Sequence, residues 1–115
     1  MNKFFILPFF LIALTLTSCS STTKLYEWRN YEDSSYKYLK AQTPEAQEDL
    51  MKTYKTMIGK SKGSRAVVPP GIYAEYGYLL IMNGKREEGV QMLEKEKELY
   101  PESTVFMNRL IKQFS

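Results

Sequence analysis

The chain has 115 residues, with 16 Lys and Arg against 13 Asp and Glu and a formal net charge of +3. That leaves room for one small domain, and the charge is too evenly balanced to mark a polyanion binder. There is no His and one Cys, which removes most of the usual general bases, metal ligands and thiol nucleophiles, so no enzyme is expected. No nucleic-acid-binding motif is present.

Residues 1–18 read MNKFFILPFFLIALTLTS. One positive charge at Lys3, an apolar run from Phe4 to Leu16 and small polar residues follow the order of a secretory signal peptide. The run is too short for a membrane-spanning helix, which needs about 20 residues. The adjoining LTSC resembles the lipobox of bacterial lipoproteins. That resemblance implies cleavage before Cys19 and a diacylglycerol and N-acyl lipid on its sulfur and amine; no other cofactor is expected. Two or more acyl chains hold a protein on a membrane stably where one does not. Ser20, in place of an aspartate after the cysteine, favours the outer membrane in a Gram-negative cell. Residues 19–25 then form a lipidated tether, and the folded domain is expected over 26–115.

From Tyr26 onward the pattern is helical. In NYEDSSYKYLKAQ the residues Tyr31, Ser35, Tyr38 and Leu39 share one helix face. In TPEAQEDLMKTYKTMIGK, Thr43 suits an N-cap, Pro44 the first turn, and Glu45, Glu48 and Asp49 the positive end of the helix dipole. Leu50, Met51, Tyr54, Met57 and Ile58 make the apolar stripe, and Gly59 is a natural stop. These two helices are expected to pair as an antiparallel hairpin.

GKSKGSRAVVPPG, residues 59–71, is long for an irregular connection. Lys60, Lys62 and Arg65 make it either a basic finger that touches a partner or a solvated loop. Beyond it, Ile72, Tyr73, Tyr76, Leu79 and Leu80 line a helix that NGK at 83–85 interrupts. Val90, Leu93, Leu99 and Tyr100 line the next, which Pro101 closes. In STVFMNRLIKQFS, Ser103 is the expected cap and Phe106, Leu110, Ile111 and Phe114 the apolar face of a last, covering helix.

Tyr73, Gly77, Gly89, Leu93 and Pro101 resemble the spacing of the tetratricopeptide repeat. Tyr76, Leu80 and Glu96 depart from it. Gly inside a helix costs about 1 kcal/mol relative to Ala, so Gly77 and Gly89 point to a demand for close helix packing. The expected fold class is therefore all-α, with antiparallel helical hairpins and a C-terminal capping helix.

The segments WRNYEDSSYKYLK, PPGIYAEYGYLL and EKEKELYPESTVFMNRLI resemble the DUF4810 family of small bacterial lipoproteins over approximately residues 26–112. The resemblance implies a helical-repeat fold and a place in a cell-envelope complex, beside a lipoprotein related to the curli secretion channel. It brings no catalytic residue.

Two binding roles follow. In the first, the domain is an interaction adaptor held at the membrane by its lipid, with Glu75 and Tyr78 facing a partner and Tyr73 and Tyr76 serving the core. In the second, it binds peptidoglycan or another polysaccharide, stacking sugars on its tyrosines. Parallel, exposed rings on one surface would favour sugars; rings inserted between helices would not.

Overall fold

A computed structural model describes residues 23–60 and 63–115. Cys19, the signal segment and Lys62 lie outside the described residues. Five α-helices follow in chain order: α1 (Tyr31–Ala41), α2 (Pro44–Gly59), α3 (Ile72–Met82), α4 (Arg86–Leu99) and α5 (Thr104–Gln113), with a short 3-10 turn at Pro101–Ser103 before the last. Among the described residues there is no strand, and the fold class is all-α. Each helix packs on the next along the chain, and α3 with α4 makes the most extensive pairing.

Local chemistry sets the helix ends. Thr43 Oγ1 accepts the Ala46 amide at 3.2 Å, so the cap and Pro44 together start α2. Between α1 and α2 the chain reverses at Gln42, whose left-handed conformation (φ 49°) lets its amide close on the Tyr38 carbonyl. Gly59 is the last helical residue of α2, and the cap that follows is an extended Lys60. Gly84 supplies the positive φ, 81°, that turns α3 into α4.

The core joins α2 to α3. Leu50, Tyr54 and Met57 from α2 bury against Ile72, Tyr76, Leu79 and Leu80 from α3, with Val68 from the connecting segment. Leu93 and Met107 are also buried. The buried side chains among the described residues run from Ser34 to Met107.

Between α3 and α4 the backbones nearly touch. A Cβ built on Gly77 would lie 2.7 Å from the Gly89 carbonyl oxygen, and one on Gly89 would lie 2.5 Å from the Gly77 carbonyl oxygen and from Ile81 Cγ1. No larger residue fits either position without moving a helix.

Glu96 occupies the other notable contact between these helices. It is buried, and its Oε1 accepts the Gly71 amide at 2.7 Å. Gly71 precedes α3 in a left-handed conformation, and no residue of its own turn caps the helix, so a carboxylate from α4 does so. Burial pushes the Glu96 carboxyl above its ordinary value, against the opposing pull of the Gly71, Ala74 and Tyr73 amides.

Several expectations need correction. Leu39 is 71% exposed, and Ser34 is the buried residue of α1, its hydroxyl donating to the Asn30 carbonyl at 2.9 Å. In α5 the core residue is Met107, whereas Phe106 is 61% exposed. Leu99 is also exposed. The Ser103 hydroxyl donates back to the Tyr100 carbonyl at 2.7 Å and does not cap α5.

The 59–71 connection is neither wholly a finger nor wholly solvated. Val68 and Pro69 are buried, and the Tyr100 hydroxyl donates to the Val68 carbonyl at 2.5 Å. The Ser64 amide donates to Lys24 O at 3.0 Å and the Arg65 amide to Leu25 O at 3.2 Å. Among the described residues, Lys24 and Leu25 are thus tied to the connecting segment.

Candidate functional site

The residues that the helical period places on one face of α1 line a groove instead of a closed core. Tyr31, Ser35, Tyr38 and Leu39 form one wall, with Leu50 and Tyr54 of α2 at the base. Ala74, Glu75, Tyr78 and Leu79 of α3 lie opposite, and Phe106 and Leu110 of α5 close the far side. The volume is about 440 Å³, within the range of small-ligand and peptide pockets. Nearly every lining side chain is apolar or aromatic.

One carboxylate stands in this setting. The Tyr54 hydroxyl donates to Glu75 Oε2 at 2.6 Å. The Tyr31 hydroxyl reaches both oxygens, Oε2 at 2.9 Å and Oε1 at 3.0 Å. Burial first, and then the carboxylate, push the Tyr31 phenol up to about 12 and drive Tyr54 higher still. Both phenols therefore remain protonated donors. They hold Glu75 in a fixed rotamer, and no Lys or Arg among the described residues forms an ion pair with it.

The aromatic rings form a chain through the domain. Tyr26 meets Trp28 at 6.5 Å between centroids, Trp28 meets Tyr31 at 5.5 Å, and Tyr31 to Tyr54 and Tyr54 to Tyr76 are each 6.0 Å. The rings are tilted or edge-on, between 41° and 71°, as packed aromatics prefer. Tyr78, 42% exposed, leans on Phe114 at 5.9 Å.

Glu75 and Tyr78 thus lie in the same groove. Lys60 and Arg65 do not line it; Arg65 places its guanidinium 5.8 Å from the centre of the Tyr26 ring, and Lys60 is exposed at the end of α2. Gly77 and Gly89 act at the α3–α4 contact. Tyr76 is buried in the core and Tyr73 packs against it partly buried. Sequence reasoning missed Tyr31 and Tyr54 as the holders of Glu75, and Phe106 as a groove residue. The period of α1 carried part of that signal, since Tyr31, Ser35, Tyr38 and Leu39 were already on one face.

Among the described residues no group of His, Cys, Asp and Glu could hold a metal ion, and no helix is long and apolar enough to cross a membrane. The groove offers apolar surface, hydrogen bonding at its rim and a single oriented negative charge, which is the chemistry of recognition.

No curated protein and no solved structure matches the chain. The family model of a domain of unknown function, DUF4810, matches residues 25–110. That span takes in the aromatic chain, both glycines of the close helix contact and every residue that lines the groove, and the protein belongs to the DUF4810 family.

Proposed function

We propose that the protein is a lipid-anchored adaptor of the outer membrane, facing the periplasm and holding a partner polypeptide in the groove between α1, α3 and α5. Glu75 carries the reading: a carboxylate fixed by two tyrosine hydroxyls, without a cation, in an otherwise apolar groove. The complementary ligand is a segment that lays aliphatic side chains along Tyr38, Leu39 and Phe106 and brings a Lys or Arg to Glu75. The envelope lipoprotein related to the curli secretion channel, implied by the family resemblance, is the partner to test first.

The anchoring half of the proposal rests on the signal-like residues 1–18 and the LTSC sequence. The alternative of a peptidoglycan or polysaccharide binder finds less support, because the tyrosines of the groove are tilted and wedged between helices, where sugar stacking calls for open faces.

The test is co-purification in mild detergent at native expression, comparing wild type with Cys19→Ser and Glu75→Gln. Retention of an envelope lipoprotein by wild type, its loss with Cys19→Ser and its weakening by about tenfold with Glu75→Gln are expected, since a charge-assisted contact at an interface is worth about 1.5 kcal/mol. Binding of purified sacculi by both variants, with no protein retained by wild type, would overturn the adaptor reading.

A further inference from the structure

The end of the domain where the chain enters carries apolar side chains that the core does not use. Leu25 is 59% exposed and Trp28 43% exposed. Both are held in place. Leu25 is fixed through the Arg65 amide on its carbonyl, and Trp28 lies between Tyr26 and Tyr31. A Cβ on Gly63 would lie 2.5 Å from Leu25 O, so the entering segment and the connecting loop are in close contact. Lys24, next to Leu25, and Arg65, whose amide holds Leu25, are exposed, and Glu27 is the acidic side chain between Lys24 and Trp28.

The length of chain sets the geometry. From Cys19 to Lys24 a fully extended backbone reaches about 18 Å at most. A lipid on Cys19 therefore keeps this end of the domain beside the headgroups, whatever the groove is doing. Tryptophan and tyrosine favour the interface between headgroup and acyl chain, and basic side chains are drawn to anionic lipid.

We infer that Leu25, Trp28, Lys24 and Arg65 form a membrane-seating surface that takes anionic phospholipid headgroups, with Leu25 and Trp28 entering the interfacial layer. The inference takes its distance limit from the lipid-anchor reading and adds an attitude to it. Trp28 contacts Tyr31, and Tyr31 is a wall of the groove, so seating one end fixes how the groove is presented.

Two features of the sequence make the test direct: one Trp and one Cys. The chain from Cys19 onward, which contains the whole described domain, is coupled through the Cys19 thiol to a maleimide-bearing lipid. The vesicles are phosphatidylethanolamine with or without phosphatidylglycerol, brominated near the top of the acyl chains. Emission from Trp28 is expected to fall about twofold on the anionic vesicles and to become shielded from aqueous acrylamide, as for an interfacial tryptophan. Lys24→Glu, at an exposed side chain, and Lys24→Glu with Leu25→Ser should reverse both effects while leaving helical circular dichroism unchanged. Emission that ignores bromine and stays as open to acrylamide as in solution, on either lipid, would overturn the inference and leave the surface for a protein. Chemical coupling makes this outcome independent of acylation in the cell, which palmitate labelling of the full chain reports separately.

Discussion

The two helix pairs solve the same packing problem in opposite ways. Between α3 and α4 side chains are removed: Gly77 and Gly89 let the backbones approach until a single methyl group would collide with a carbonyl oxygen. Between α1 and α2, and across to α3, large rings are used, and Tyr31, Tyr38 and Tyr54 keep the helices apart enough to leave a groove of about 440 Å³. One pair is closed. The other is spaced and presents a surface. A domain this small keeps an open groove because one half of it is packed tightly enough to support the other.

The contrast can be broken most severely at Gly89. In Gly89→Ala the new methyl group meets the Gly77 carbonyl oxygen. Overpacking costs about 3 kcal/mol and the better helix propensity of Ala returns about 1 kcal/mol, for a net loss of about 2 kcal/mol in urea unfolding. An unchanged midpoint would mean that the closed pair is looser than described.

On the open side, Tyr54→Phe keeps the ring and removes the hydroxyl on Glu75. It should cost about 1 kcal/mol in the same measurement, with Tyr31→Phe costing less because its bonds are exposed. If the groove binds as proposed, both variants should weaken partner retention more than they weaken the fold, which Gly89→Ala should not do.

A smaller effect sharpens the comparison through pH. Folding raises the Glu96 carboxyl, so the folded state binds this proton more tightly than the unfolded chain does. Stability from this group is fully present below the ordinary Glu value of 4.5 and is lost as pH rises through the raised folded value. Thermal midpoints of wild type should therefore climb as pH is lowered from neutral toward that range, and Glu96→Gln should flatten the climb. A slope that persists in the variant would place its origin elsewhere. Smallest of all is Asp33→Asn, which removes an exposed pair with Lys37 at 2.7 Å and should leave the midpoint where it was.

The helices were readable because their signals are local. Thr43, Pro44 and the stripe from Leu50 to Ile58 need nothing from outside their own segment to specify α2. Gly77 and Gly89 were conspicuous for the reason that makes them useful, since each is a poor helix residue in the middle of a helix. The groove was less readable. The period put Tyr31, Ser35, Tyr38 and Leu39 on one face, but whether a face is covered depends on where a later helix comes to rest, and nothing in α1 encodes the position of α5. Phe106 and Met107 illustrate the same limit from the other side. Adjacent apolar residues near the edge of a stripe exchange roles with a small rotation of the helix, and that rotation is set by α4 and the 3-10 turn. The Glu96 cap was hidden because its partner lies 25 residues away, beyond any local motif.

The pairing of Lys24 and Leu25 with Ser64 and Arg65 also has a mechanical side. A pull along the N-terminal end reaches this junction before it reaches α1. Two backbone hydrogen bonds and the close seat at Gly63 share the load with the segment that links the two hairpins. Tension applied at that end is thereby delivered to the middle of the domain, and the first helix is spared from being peeled away turn by turn.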